Sequence, residues 1–232
     1  MPDEGTWSTV WDPTGTWRRH PVRTRWLQPG DDLVAVLDAC TAELRRGTDT
    51  VAVSEKVAVL LTHRAVPRST VAAGRLARFL AGHVHPVGDS RGLSIPEKMQ
   101  LVVERQGRVR VLAAALSAGL LRPLGHRGAF YRLAGTFARD LDGLRPPYLD
   151  LLLPPLEPRV ARRLAQAWQE RLGCGVAIVD VNDRGGSVRA VSSAALPAEE
   201  LLTALGDNPM GQGTSGTPIV LVRRSPSGQQ PA

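Results

Sequence analysis

Apolar residues at Leu33, Val36, Leu37, Cys40 and Leu44 recur at helical spacing and predict one buried helix face. Pro29-Gly30-Asp31-Asp32 before them reads as a turn and a helix cap, and Gly47 after them as the stop. Thr50 to Val53 predicts a buried strand, with a second apolar run from Val57 to Leu61. Ser69 reads as the cap of a helix reaching Leu80, and Ser94-Ile95-Pro96-Glu97 as another helix start. The run Arg108 to Arg122 fits strand or helix, and Gly128 to Leu141 reads as one helix. Tyr148 to Leu153 predicts a short strand. Glu157 to Leu172 is the clearest amphipathic helix, with Val160, Leu164, Ala167, Trp168 and Leu172 on one face. Gly175 to Asp180 predicts a strand ending on an acid, with Ser187 to Ser193 as its hairpin partner. Pro197 to Leu205 predicts a helix, and Ile219 to Arg223 a last apolar strand. Strands and helices mixed without strict alternation predict an α+β fold with mixed sheets and packed helices. Residues 1–20 read as an irregular arm whose Trp7, Trp11 and Trp17 dock it on the chain's own body or on a partner subunit. Residues 225–232 read as a polar tail.

The chain of 232 residues is 43% hydrophobic, enough for a core in one large domain or two small lobes. No apolar run is long enough for a membrane span, and the N-terminus has no apolar secretory segment. Cys40 and Cys174 lack metal-ligand spacing, so reduced thiols and a cytoplasmic location are expected. The formal charge is +7, which favours phosphate-bearing ligands. The arginines are scattered with no basic stripe or aromatic platform, so nucleic acid is not an expected partner. Lys56 and Lys98 are the only lysines.

Candidate chemistry gathers in few places. Met210-Gly211-Gln212-Gly213-Thr214-Ser215-Gly216-Thr217-Pro218 is a polar glycine loop ahead of the last strand. Its bare backbone N–H groups suit a phosphate, although such loops are also ordinary solvated connections. Asp180 at a strand end offers a fixed, open carboxylate, or equally an Asx turn. Asp142 reads as a metal acid or as a helix-ending residue before Gly143. Ser54-Glu55-Lys56 follows a buried strand, and Lys56 supplies a point charge in an arginine-rich chain. The acids, the glutamine loop and the lysine together suit a metal–nucleotide complex. The standard nucleotide-loop spacings are absent. His83 and His85 have no third ligand nearby, so zinc is not expected.

In these residues the chain resembles the coenzyme F-420 gamma-glutamyl ligases, a CofE-like family. The resemblance runs in order through Pro29 to Leu33, Val51 to Val57, Leu152-Leu153-Pro154, Asp180, and Met210 to Arg223, covering about residues 22–224. It implies a ligase domain over 21–224, an α+β fold and an intertwined homodimer. It implies transfer of L-glutamate to the lactyl-phosphate tail of a deazaflavin, using GTP or ATP and Mg or Mn. By the same resemblance Asp142, Asp180 and Gln212 hold the metal. Ser54, Glu55 and the loop Met210, Gly211, Gln212, Gly213, Thr214, Ser215, Gly216, Thr217 contact the nucleotide. Lys56 and Glu55 are then the catalytic candidates, with Asp183 a second candidate base.

The chain departs from the family pattern at Val181, where a threonine is usual, and at Gly143-Leu144-Arg145, where a nucleotide-contacting asparagine is lost. It departs again at Leu60, in place of a second lysine, and through Gly125 to Asp140. These departures keep two alternatives open: the same ligase chemistry on another small carboxylate, and a non-catalytic nucleotide-binding protein.

Overall fold

The computed structural model describes residues 7–85, 92–123, 128–144, 146–182, 185–211 and 216–225. In chain order these form β1 (Ser8–Asp12), β2 (Gly15–Val22), α1 (Leu33–Thr41), β3 (Thr50–Ser54) and α2 (Glu55–Leu61). Then come β4 (Val66–Pro67), α3 (Arg75–Gly82), α4 (Pro96–Gln106), α5 (Arg108–Leu121), α6 (Ala129–Ala134) and α7 (Thr136–Asp140). The chain closes with β5 (Asp142–Gly143), β6 (Leu151–Leu153), α8 (Pro158–Leu172), β7 (Gly175–Asn182), β8 (Gly185–Val191), α9 (Ala198–Ala204) and β9 (Ile219–Arg224). This is an α+β fold. The chain divides into two compact units, residues 1–63 with 156–232, and residues 64–155.

The first unit is built on a six-stranded sheet of order β1-β2-β9-β3-β7-β8. Among the described residues only β3 and β7 of this sheet pair in parallel, with Thr50 opposite Gly175 and Ser54 opposite Val179; the other pairs are antiparallel. Val51, Ala52 and Val53 are fully buried, as is Val176 to Val179. A strand buried on both faces needs apolar residues at every position, which explains these unalternating runs. On one face Ala52, Ala177, Val179, Val220 and Val222 pack with Leu201, Ala204 and Leu205 from α9 and its end. Asp49, whose side chain is fully buried, anchors the start of β3. Its carboxylate accepts from Arg223 Nε at 2.7 Å and from the Arg46 N–H at 2.8 Å.

The irregular arm expected over residues 1–20 instead forms, from Ser8 on, a β-hairpin that reaches Val22 and extends the sheet along β9. Trp17 is fully buried and its indole N–H donates to Glu200 at 3.0 Å. Trp7 lies against His20 and under the guanidinium of Arg223, 4.6 Å from the ring centre. Trp11 is 51% exposed. The hydroxyl- and glycine-rich composition of this stretch hid the strand pairing that β9 supplies.

The second unit holds a three-stranded sheet of order β4-β6-β5 and helices α3 to α7. Leu80, Met99, Val102, Val111 and Ala138 belong to its core. Arg108 to Arg122, which fits either strand or helix by pattern, is the helix α5. The single helix expected over Gly128 to Leu141 is two, parted by Gly135 at φ 89. Ser69 caps no α-helix; it lies in a 3-10 turn, and α3 starts only at Arg75.

Gly175 is a close-contact position at the start of β7. A Cβ there would stand 2.5 Å from Ala195 Cα and 2.6 Å from the Ala194 carbonyl oxygen. Gly119 on α5 faces open space. Chemical denaturation is expected to show Gly175→Ala destabilised by about 1–3 kcal/mol or more. Gly119→Ala is expected to gain roughly 0.5–1 kcal/mol from helix propensity. Equal effects at the two positions would contradict this packing.

Candidate functional site

Parallel pairing carries the site. Because β3 and β7 run the same way, their carboxyl ends open at one end of the sheet. That end holds Ser54 and Glu55 from β3 and α2, and Asp180 from β7. The antiparallel β9 begins at the same end, and its lead-in is tied there: the Ser54 N–H donates to the Pro218 carbonyl at 2.9 Å. The Thr24 N–H after β2 donates to the Gly216 carbonyl, also at 2.9 Å. Three segments far apart in the chain thus meet within one hydrogen-bonded edge.

Asp180 does not end its strand. The strand runs on to Asn182, paired with β8, and Asp180 is the first residue of β7 beyond its pairing with β3. It is half-buried. Opposite, β8 carries a bulge: Ile178 pairs with Ala190 and Val179 with Val188, leaving Arg189 as the extra residue. A bulge re-aims the side chain it carries. Arg189 Nε donates to Glu55 Oε2 at 2.7 Å, and its Nη2 lies 3.8 Å from Asp180 Oδ2.

Glu55 is 6% exposed and opens α2. Its second oxygen, Oε1, accepts the Leu156 N–H at 2.8 Å. Burial pushes this carboxyl above its ordinary value of 4.5. The Arg189 charge and both hydrogen bonds oppose the rise, and the Asp180 charge adds to it. Lys56 is half-buried in the first turn of α2, and the Ser54 side chain makes no capping bond to that helix.

The glycine loop is described at its ends. Gly211 and Gly216 take φ of 69 and 67, a region that favours glycine. The Thr217 hydroxyl donates to the Met210 carbonyl at 2.6 Å, joining the two ends of the loop. The Met210 side chain is buried in the core beside α9, so only its backbone serves the loop. Gln212, Gly213, Thr214 and Ser215 lie outside the described residues, as does Asp183.

The expected metal site is overturned. Among the described residues no group of three or more histidine, cysteine, aspartate or glutamate side chains is placed to hold a metal ion. The reason is local at both acids. Asp180 faces the Arg189 guanidinium, which competes with any cation for it. Asp142 lies in the second unit, half-buried in β5, where its Oδ1 accepts the Gly143 N–H at 2.8 Å. Asp142 and Asp180 therefore belong to no such group, and Gln212, the third expected ligand, lies outside the described residues. The cofactor set in which GTP or ATP bound as a metal complex with Mg or Mn falls with that site. Nor do His83 and His85 belong to such a group.

Sequence reasoning reached Ser54, Glu55, Lys56 and Asp180 and missed Arg189. Its one signal was a charged residue inside the strand predicted opposite an acid-bearing strand. The bulge that turns it toward Glu55 has no sequence mark.

No family model matches the chain, and no characterised protein sequence matches it. No helix among the described residues is long and apolar enough to cross a membrane.

The Glu55 environment gives a signed pH dependence. A carboxyl raised in the folded state binds protons more tightly there than when unfolded, so it stabilises at low pH. That stability is fully present below the ordinary value of 4.5 and is lost as pH rises through the higher folded value. Urea unfolding of the wild type and Glu55→Gln across this range is expected to show the wild type losing ground as pH rises. A wild type that gains on Glu55→Gln with rising pH would reverse the assignment.

Proposed function

We propose that the chain is an amide-bond ligase acting on a small carboxylate and an amine, with a nucleoside triphosphate as phosphoryl donor. The observation that carries this reading is the meeting of Ser54-Glu55-Lys56, Asp180 and Gly216-Thr217-Pro218 at one sheet end. These are the segments of the resemblance to gamma-glutamyl ligases, and they come from positions as far apart in the chain as Ser54 and Pro218.

The reaction has two steps. A carboxylate oxygen of the acceptor attacks the terminal phosphorus, and the bond to the nucleoside diphosphate breaks. The amine nitrogen then attacks the acyl carbon of the acyl phosphate, inorganic phosphate leaves, and the amine proton passes to a base. Phosphoryl transfer asks a protein for positioning and charge neutralisation. Arg189 and Lys56 are the cations assigned to that role at this sheet end. A guanidinium fork matches phosphate or carboxylate oxygens in pairs. The backbone N–H groups of Gly216 and Thr217 are assigned as phosphate donors. Glu55 is assigned as the base that receives the amine proton. A carboxyl with a raised pKa is better matched to that task than an ordinary one.

A second reading is non-catalytic nucleotide binding. It is favoured by the Glu55 carboxylate, both of whose oxygens already hold internal partners, Arg189 and the Leu156 N–H.

The test is transfer of oxygen. The protein is incubated with GTP or ATP, L-glutamate and a panel of carboxylic acids labelled with heavy oxygen in the carboxylate. Ligation through an acyl phosphate moves one labelled oxygen into inorganic phosphate, read by phosphorus NMR. Glu55→Gln is expected to lower the rate about 10²–10⁴-fold as a lost base. Arg189→Met is expected to lower it about 10²–10³-fold as a lost electrostatic group. Nucleotide binding with no label transfer across the panel would favour the second reading.

A further inference from the structure

Helix α5 has two apolar faces, and among the described residues only one is packed into a core. Val111 and Ala114 are fully buried in the core of the second unit. On the opposite side Val109 is 83% exposed, Leu116 67%, Leu120 74% and Leu112 40%. These four fall on one stripe, because a helix advances 100° per residue and their spacings are three and four. A helix that is apolar all round is normally covered all round, and a contiguous exposed stripe marks a contact surface.

Charge identifies the occupant. Arg108 and Arg110 are exposed on either side of the stripe at its N-terminal end, Arg110 with its Nε also donating to the Leu133 carbonyl at 2.7 Å, and Arg122 follows its C-terminal end. From Arg108 to Leu121 there is no acidic residue. The N-terminal end of a helix adds its own partial positive charge. A second copy of α5 laid antiparallel brings Arg108 toward the other copy's Arg122, and a parallel one stacks arginine on arginine. Both place like charges together, which disfavours that pairing.

We propose that the Val109-Leu112-Leu116-Leu120 stripe of α5 is the docking surface for a partner protein's amphipathic helix with acidic residues flanking its apolar face. The apolar seam supplies the affinity, and Arg108 and Arg110 fix the partner's charge and direction. This surface is independent of the ligase reading.

The probe is a fluorescent synthetic helical peptide with a leucine stripe flanked by glutamates, and a control with lysines in their place. Fluorescence anisotropy with the full chain is expected to show saturable binding of the glutamate peptide. The lysine peptide is expected to bind at least about tenfold more weakly. The double variant Leu116→Asp/Leu120→Asp changes exposed positions only, and circular dichroism checks its fold; it is expected to abolish binding. Arg108→Glu/Arg110→Glu is expected to weaken it roughly tenfold. No binding, or equal binding of the two peptides, overturns the proposal. So does self-association in sedimentation that the leucine variant removes, which gives the stripe to a second copy. Preferential binding to anionic phosphatidylserine vesicles, lost in the same variant, gives it to a membrane surface and overturns the proposal as well.

Discussion

The parallel pairing of β3 with β7 is the constraint on which the candidate site depends. It sits near the centre of the six-stranded sheet, with both strands buried on both faces, so their interiors admit only apolar side chains. Polar chemistry is thereby driven to the strand ends. Because the two strands run the same way, their polar ends, Ser54-Glu55 and Asp180, emerge together. An antiparallel pair would send them to opposite edges. The start of β9 joins the same end through the Ser54–Pro218 hydrogen bond.

Arg189 makes this arrangement tolerable. A carboxylate as buried as Glu55 is costly unless it is paired and hydrogen-bonded. The bulge in β8 supplies the paired cation, and the Leu156 N–H supplies the other bond. The same guanidinium reaches toward Asp180, so one arginine organises two acids from different strands. In a ligase that cation has a second use, since a phosphate competes for the same donors. Under the proposed ligase reading, the structural ion pair and a phosphate contact are alternative states of this one group.

Much of this was legible in the chain, for reasons that differ by element. The unalternating apolar runs of β3, β7 and β9 announce strands buried on both faces. The amphipathic period of α8 and the Asp32 cap of α1 mark helices, and Asp32 does accept the Val34 N–H at 2.9 Å. The hairpin β1–β2 was not legible, because its stability comes from pairing with β9 some 200 residues later. Arg189 was hidden for a related reason: a bulge is a property of two strands in register, and one strand does not encode it. The metal set failed because residue type and order do not report neighbours. Asp180 has an arginine where a metal would need further oxygen donors, and the Asp142 Oδ1 accepts the adjacent Gly143 N–H.

The central claim is that the end of the β3–β7 pair, with Arg189 at its centre, receives the phosphates of a nucleotide. It is tested most directly by following the Arg189 Nε–H resonance in nitrogen-15 NMR while GTP is added, with Arg189→Met fixing its assignment. The account predicts a saturable shift of that resonance as the guanidinium exchanges Glu55 for phosphate oxygens. A resonance that stays in place while GTP binds elsewhere, or a protein that binds no GTP, would contradict it.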